Sequence, residues 1–244
     1  MSKLKGKTAL VVGGGTGIGL GIAIALAEEG CRVVISGRRE DKLREAASTY
    51  KGDSPLLIHA ADVADPKSVE DLVQWSIKEL GHVDIFVNSA GVNVLKRSMA
   101  ELSIDDWEQM MRINASGAFY CMRSVLPHMR QRKDGLIVNV SSISGKRASL
   151  LGGVGYSAAK FAMTALGTTA GLEEAQHNIR VSNVYPGEVD TPILEKRPVP
   201  VTAEHRARIL KPEDVGIAVV MLALLPPRAH VPELVIKPTS QPYS

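Results

Sequence analysis

The chain has 244 residues, of which 45% are hydrophobic and 23% charged, and its formal net charge is +3. This length and balance predict one α/β domain with a sizeable core, spanning residues 1–244. The small net charge argues against nucleic acid or a membrane surface as a partner. Two cysteines, a start that runs straight into the first strand and no apolar run long enough for a bilayer predict a reducing, cytoplasmic location.

Apolar, β-branched runs alternate with helix-like segments along most of the chain. The predicted strands are 9–12, 32–36, 56–60, 83–87, 136–140, 180–184 and 233–236. The predicted helices are 18–29, 40–50, 69–80, 104–122, 156–175 and 211–225, and 192–201 is predicted as a loop. Such alternation indicates right-handed βαβ units, so the expected fold is a doubly wound, Rossmann-type α/β/α sandwich with a seven-stranded parallel sheet.

The stretch from Lys7 to Gly30 predicts a buried strand, a glycine-rich turn and a helix. The first turn of a helix leaves backbone N–H groups unpaired and carries a positive dipole end, so this turn can hold a pyrophosphate. Gly13, Gly17 and Gly19 depart from the general G-x-G-x-x-G spacing, and a turn without a ligand is the alternative. The position at the head of a strand–helix unit favours nucleotide binding.

Arg38 and Arg39 follow the second predicted strand, where nicotinamide-binding folds meet the adenosine ribose. No acidic residue stands there to bind the 2′-hydroxyl of NAD, whereas an arginine pair suits the 2′-phosphate of NADP. The sequence therefore favours NADP over NAD. The alternative is that both arginines are solvated and pair with Glu40 or Asp41.

Four polar residues at strand ends or inside a helix are further candidates. Asp62 follows the third predicted strand and can bind the adenine amino group or cap the next helix. Asn114 and Gly117 lie in a predicted helix that neither residue favours, so Asn114 is either functional or an ordinary buried asparagine. Ser141 and Ser142 end the fifth strand at the carboxyl edge of the sheet, where α/β proteins place ligands.

Tyr156 and Lys160 are four residues apart and therefore share one face of the predicted helix. A lysine ammonium beside a phenol lowers the pKa of the phenol, which allows a tyrosine to donate and accept a proton near neutral pH. The pair is common by chance. It gains weight from the serine-bearing strand end before it and from the glycine-rich first turn.

The order and spacing of these motifs resemble the short-chain dehydrogenase/reductase family over residues 6–236. The family's T-G-x-x-x-G-x-G motif matches 12–19, with Val12 in place of threonine. Its N-N-A-G motif matches 88–91, with Ser89 as the second residue. The remaining matches are Asn114, Ser142 (one residue farther than usual from the tyrosine), Tyr156, Lys160, Pro186 and Gly187.

The resemblance implies catalytic roles for four residues. Tyr156 exchanges a proton with the substrate oxygen as hydride moves to or from the nicotinamide, and Ser142 orients that oxygen. Lys160 lowers the pKa of the tyrosine and holds the nicotinamide ribose, and Asn114 holds a water linked to Lys160. The implied cofactor contacts are Gly13, Gly15, Thr16, Gly17, Ile18, Gly19, Arg38, Arg39, Asp62, Val63, Asn88, Ala90, Gly91, Tyr156, Lys160, Pro186, Gly187, Val189 and Thr191, and no metal ligands are identified.

The resemblance implies oxidoreduction of a small carbonyl or alcohol substrate with NADP(H), carried out by a homotetramer or homodimer. One alternative is an NAD-dependent alcohol dehydrogenase of the same family. Another is a nicotinamide-nucleotide-binding protein without turnover, whose usual sign is a broken tyrosine–lysine pair; this pair is intact. The substrate pocket is expected from loops 92–97, 144–154 and 188–208, whose composition does not identify the substrate.

Overall fold

Seven parallel strands form a single sheet in the computed structural model, which describes residues 3–242 and leaves the two residues at each end of the predicted 1–244 domain outside its range. The strands are β1 (Thr8–Val12), β2 (Arg32–Gly37), β3 (Leu57–Ala60), β4 (Ile85–Asn88), β5 (Gly135–Val140), β6 (Ile179–Pro186) and β7 (Glu233–Ile236). Their order across the sheet is β3-β2-β1-β4-β5-β6-β7. The prediction of a doubly wound, seven-stranded parallel sheet is confirmed.

The chain reverses its direction of winding at β1, which pairs with β2 on one side and β4 on the other. In an open α/β sheet the crevice for a ligand forms at the carboxyl ends of the strands next to such a reversal. Because every neighbouring pair is parallel, the polar residues that follow β1 to β6 all lie at this same edge. The topology therefore brings the candidate site residues together from distant parts of the sequence.

The helices cover both faces of the sheet. They are α1 (Gly17–Glu28), α2 (Glu40–Thr49), α3 (Pro66–Leu80), α4 (Ile104–Met110), α5 (Gly117–Arg132), α6 (Val154–Glu174), α7 (Ala203–Arg208) and α8 (Pro212–Leu224). On β1, Ala9 and Val11 pack in a cluster with α1, α2 and α8. Leu10 and Val12 point the other way and pack with α3, α5 and α6. The alternation of side chains along the strand thus produces two cores, one on each side of the sheet.

The predicted helix 104–122 is in fact three pieces. A π-helical turn, Met111–Ser116, separates α4 from α5 and contains Asn114. The helix also continues well past residue 122, through Pro127, to Arg132, after which Lys133 takes a left-handed backbone conformation. Single-turn π segments inside helices are frequent at functional sites, because the extra residue redirects a side chain.

The predicted loop 192–201 is partly helical. Pro192–Lys196 forms a 3₁₀ helix, and α7 follows it, with the Thr202 hydroxyl accepting a hydrogen bond of 3.2 Å from the His205 amide. Both pieces are short, so neither produces the repeated apolar spacing from which longer helices are predicted. Between Lys3 and Pro242, no helix has the length and apolar character needed to cross a membrane.

Candidate active site

The glycine-rich turn after β1 leaves the start of α1 open. Gly13 and Gly17 have φ angles of +78° and +54°, which side-chain-bearing residues rarely adopt. A Cβ on Gly19 would overlap the carbonyl oxygen of Gly13, so the turn closes only with glycine there. Thr16 makes no capping hydrogen bond, and the first turn of α1 holds no acidic residue. The positive end of the helix dipole is therefore left without a side-chain partner.

Two other loops meet this turn. A Cβ on Gly13 would lie 2.6 Å from the Ala90 amide nitrogen, in the loop after β4. A Cβ on Gly17 would lie 3.2 Å from Cβ of Thr191, in the segment after β6. The Thr191 hydroxyl donates to the Val189 carbonyl at 3.4 Å, and Val189 forms a bridge with Leu210. The structure thus brings the turn, Ala90 and Thr191 together.

Arg38 and Arg39, directly after β2, are both exposed. Within residues 3–242 neither guanidinium forms a hydrogen bond or an ion pair. Glu40, which could have paired with them, binds Arg44 instead at 2.5 Å. The alternative is therefore right about solvent exposure and wrong about the pairing with Glu40 or Asp41, and both arginines are free to contact a ligand at the end of β2.

Asp62, Val63 and Asn88 lie farther along the same edge. The Asp62 carboxylate accepts a hydrogen bond from the Ala64 amide at 3.0 Å, while the helix cap of α3 is Asp65, so the capping alternative for Asp62 is wrong. Val63 is buried. Asn88 is 1% exposed, and its side-chain nitrogen finds no acceptor in the described part of the protein. That buried donor is available to a ligand.

Pro186 and Gly187 make different contacts. Pro186 is paired with Ile236 of β7, and the Gly187 amide donates to the Ile236 carbonyl at 2.7 Å. A Cβ on Gly187 would lie 2.9 Å from Cβ of Lys237 and would overlap the side chain of Gln241. These two residues therefore pack against β7 and the segment after it.

Tyr156 and Lys160 project from the start of α6 toward the end of β5. The Lys160 ammonium lies 5.8 Å from the centre of the Tyr156 ring. Lys160 is only 3% exposed, and its Nζ donates to the Val140 carbonyl at 2.8 Å. Val140 is the last residue of β5, so the helix lysine is held directly at the carboxyl edge of the sheet.

The two serines after β5 have different surroundings. Ser141 is buried, and its hydroxyl contacts the Lys160 carbonyl at 3.2 Å and the Thr164 hydroxyl at 3.3 Å. Ser142 is partly exposed, and its hydroxyl accepts from the Ser144 amide at 3.1 Å, which starts a 3₁₀ turn. The first serine therefore joins the strand to α6, and the second is the one that a substrate can reach.

The π-helical turn brings Asn114 to the same place. Its side-chain oxygen accepts from the Val92 amide at 2.8 Å, and its nitrogen donates to the Val92 carbonyl at 2.9 Å. A Cβ on Gly91 would lie 3.5 Å from both the Asn114 oxygen and the Lys160 Nζ. Asn114, Ser142, Tyr156 and Lys160 therefore gather around the ends of β4 and β5.

A family model described as short chain dehydrogenase matches residues 7–199. The chain belongs to the short-chain dehydrogenase/reductase family. It is 34% identical to an uncharacterized oxidoreductase of Staphylococcus saprophyticus over 98% of this chain and all of that protein. The family resemblance stated from the motifs is thus confirmed.

Solved structures of the family support a nicotinamide cofactor. An alcohol dehydrogenase from the archaeon Thermococcus sibiricus, complexed with 5-hydroxy-NADP, is 29% identical, with a TM-score of 0.87 over 98% of this chain and 99% of that one. A 3-ketoacyl-(acyl-carrier-protein) reductase from Brucella melitensis, complexed with NADH, is 27% identical, with a TM-score of 0.87 over 96% and 98%. The uncapped first turn of α1 and the unpartnered Asn88 nitrogen fit such a cofactor.

Burial is the largest influence on the pKa values of this family's tyrosine–lysine pair. Burial lowers the pKa of Lys160 to about 7, so the lysine is only partly charged at neutral pH. Burial raises the pKa of Tyr156, and the two groups that oppose this are the Ser142 hydroxyl and the Arg97 guanidinium. The net direction of the Tyr156 pKa is upward, and Arg97 is a cation that opposes this rise.

No sequence pattern singled out Arg97. It is 7% exposed and lies in the loop after β4, where its guanidinium donates to the Leu151 carbonyl at 2.8 Å and to the Lys196 carbonyl. A charged residue in a polar loop is normally solvated, so its burial has no local sequence signal. The only hint was its position in the loop 92–97, which was expected to line the substrate pocket.

Proposed function

We propose that this protein interconverts a carbonyl and an alcohol with NADP(H), using Tyr156 as the general acid and base. The observation that carries the proposal is the meeting, at one edge of the sheet, of the uncapped start of α1 and the Tyr156–Lys160 pair. The bound cofactor supplies or accepts the hydride. The protein positions the substrate and moves the proton.

In reduction, the Tyr156 hydroxyl donates its proton to the carbonyl oxygen, which Ser142 holds and polarises. Lys160 has a pKa of about 7, so it can accept and return a proton near neutral pH and can resupply Tyr156. Asn114, which lies beside Lys160 and is anchored at both ends to Val92, holds the water that connects the lysine to solvent. In oxidation the same groups work in reverse.

The cofactor is held along the edge from β3 to β6. In this proposal its pyrophosphate lies against the start of α1, and the 2′-phosphate of the adenosine ribose is bound by Arg38 and Arg39. Two observations support NADP: both guanidiniums are exposed and unpaired within the described chain, and no acidic residue stands at the end of β2. The proposed contacts are Gly13, Gly15, Thr16, Gly17, Ile18, Gly19, Arg38, Arg39, Asp62, Val63, Asn88, Ala90, Gly91, Tyr156, Lys160, Pro186, Gly187, Val189 and Thr191.

The phosphate contact is tested by titrating the protein with NADPH and with NADH, followed by nicotinamide fluorescence. Arg38→Ala should weaken NADPH binding about tenfold or more, since it removes a charge-assisted pair, and should leave NADH binding unchanged. Arg44→Ala is the matched control, because Arg44 is an exposed arginine of α2 that already pairs with Glu40. Equal affinity for both cofactors, unchanged by Arg38→Ala, would favour an NAD-dependent alcohol dehydrogenase instead.

We further propose that residues 1–244 form a single domain that assembles as a homotetramer or homodimer in the cytoplasm. The basis is the single sheet and the membership of a family whose members are usually oligomeric. Light scattering coupled to gel filtration measures the mass directly. A monomer at micromolar concentration would contradict the assembly.

A further inference from the structure

Arg97 joins the three loops expected to form the substrate pocket. It lies in the loop after β4, and it donates to Leu151 in the loop after β5 and to Lys196 in the segment after β6. Its own carbonyl accepts from the Val154 amide at 3.3 Å. Its stem packs against Gly153, where a Cβ would lie 2.6 Å from that of Arg97. The guanidinium is therefore fixed where the three loops meet.

The charge of Arg97 has no acidic partner. Among residues 3–242 it forms no ion pair, and its Nε, which is buried, has no hydrogen-bond acceptor. The charged and titratable groups that act on it are Arg197 and Tyr156. Glu188, a carboxylate of the segment after β6, is already bound to Arg197 at 3.0 Å and to His205 at 2.6 Å. A buried cation without a counter-charge is costly, so some group outside the described chain should pair with it.

We propose that a carboxylate of the substrate is the partner of Arg97, so that the substrate is an oxo acid or the corresponding hydroxy acid. This inference rests on the proposed function and names its substrate class. An arginine presents five N–H donors in a plane, and each of its two Nη nitrogens already binds one carbonyl here, which leaves a second hydrogen on each Nη for a carboxylate. Arg97 is also close enough to Tyr156 for its charge to act on the phenol.

The reaction balances without any change at the carboxylate. In reduction, the carbonyl carbon gains a hydride with the two electrons of the reduced nicotinamide, and the oxygen gains the proton of Tyr156. The carboxylate serves only to hold the carbonyl in place between Ser142 and Tyr156. Interactions that fix a substrate away from the reacting bond raise the rate by orienting it.

A role in holding the loops together does not by itself explain why a charged side chain is buried at position 97. The Leu151 and Lys196 carbonyls are neutral, so a neutral donor could serve them without a buried charge. A second buried polar atom without a partner, the Ser157 hydroxyl, lies next to the same loop, 3.0 Å from where a Cβ of Gly152 would be. Arg97, whose stem contacts Gly153, and Ser157, whose hydroxyl lies beside Gly152, thus each bring an unpartnered donor to this loop.

The test compares 2-, 3- and 4-oxo carboxylates with their methyl esters, using NADPH and the wild-type protein. We expect kcat/KM for at least one acid to exceed that of its ester tenfold or more. Arg97→Gln should bring this ratio near one, mainly through a higher KM, and Arg97→Lys should reduce it only partly. Lys78→Gln is the control, because it removes an exposed charge from α3, outside the three loops, and should keep the ratio.

The outcomes separate this inference from the proposed function. Equal rates on acids and esters, a variant that loses both equally, or a preference for phosphorylated ketones would overturn the carboxylate site while carbonyl reduction stands. If none of these compounds is turned over, the proposed function fails. Thermal stabilisation of the protein by the same oxo acids in the presence of NADPH then tests the carboxylate site. Stabilisation that needs Arg97 supports the carboxylate site, and its absence overturns it. NADPH binding by each variant checks folding, and if Arg97→Gln does not fold, the wild-type ratio and Arg97→Lys decide.

Discussion

Two clusters of buried charged residues lie at opposite ends of the parallel strands, one at their amino ends (the amino edge) and one at their carboxyl ends (the carboxyl edge). They differ in whether the charges have partners within the protein. At the amino edge, Asp84 stands just before β4 and is 4% exposed. Its carboxylate accepts from the Thr8 amide at 2.9 Å and from Arg132 at 2.9 Å, and it pairs with Lys7 at 3.3 Å. Burial would raise the pKa of Asp84, but these donors and His82 outweigh it and hold the pKa below its usual range.

At the carboxyl edge, Lys160 and Arg97 are equally buried, yet neither has a carboxylate partner in the described chain. Burial lowers the pKa of both. At the amino edge the described chain supplies the partners of the Asp84 charge, while Nη1 of Arg132 and Nε of Arg180 are left without a hydrogen-bond acceptor. At the carboxyl edge the protein keeps buried charges without carboxylate partners, and a ligand can supply those partners. Such unpaired, perturbed groups are typical of functional sites. Substitutions at the two edges should therefore separate activity from stability.

The largest effect is expected from Tyr156→Phe. The change removes only the hydroxyl that exchanges the proton, so kcat should fall about 10²- to 10⁴-fold. The urea midpoint should stay close to wild type, because the ring keeps its packing, and NADPH should still bind through the other proposed contacts. Steady-state kinetics measure kcat, the fluorescence titration measures NADPH binding, and urea unfolding gives the midpoint. Full turnover by this variant would remove Tyr156 from the chemistry, and a cellular role that needs no turnover would point to the non-catalytic alternative.

At the other edge, Asp84→Asn should affect stability and not chemistry. Removing the charge leaves Arg132 and Lys7 without their shared carboxylate, which should cost about 3 kcal/mol in the free energy of unfolding at pH 7. The pKa of Asp84 is lowered by folding, so the wild-type advantage is present above about pH 4 and is lost as the pH falls through the folded value. Urea unfolding at pH 7 and at pH 3 measures the difference.

Glu70→Gln is a suitable control for Asp84→Asn, since Glu70 is exposed on α3 and lies 4.0 Å from Lys67. It should change the unfolding free energy little at either pH. A large loss of kcat in Asp84→Asn, with the fold intact, would contradict the separation of the two edges.

The parts of the molecule set by local repetition were predictable from sequence. The short apolar run at β1, the glycines at 13, 17 and 19 and the four-residue spacing of Tyr156 and Lys160 each act through neighbours in the chain. The backbone geometry of each of these segments is therefore determined by a few consecutive residues. The parallel topology then brings the segments to the carboxyl edge of the sheet.

What could not be predicted depends on contacts between distant loops. Arg97 is buried because Leu151 and Lys196, which lie 54 and 99 residues away, accept its hydrogen bonds. Asn114 was noticed as an unfavourable helix residue, but the π-helical turn that aims it at Val92 has no pattern of its own. The direction of the Lys160 pKa likewise comes from burial by the whole fold.

The smallest of the predicted effects concerns the pH dependence of the unfolding free energy in Lys160→Met. It is also the most direct test of the contrast between the two edges. Folding lowers the pKa of Lys160 from 10.5 to about 7, so between these values the unfolded chain binds more protons than the folded one. Wild-type stability should therefore rise with pH across this window, while that of the methionine variant should not. The unfolding free energy of Lys160→Met minus that of wild type should therefore be about 2 kcal/mol larger at pH 6.5 than at pH 9.

Urea unfolding of both proteins at pH 6.5 and 9 measures this gain, and Lys78→Met provides the control, because Lys78 on α3 is exposed. A stability difference between Lys160→Met and wild type that does not change with pH would mean that the buried lysine keeps its full charge. Its counter-charge would then have to lie within reach of Val140, and the carboxyl edge would be satisfied by the protein in the same way as Asp84. A difference that shrinks as the pH rises instead shows that the protein keeps an unpaired, titratable amine beside Tyr156.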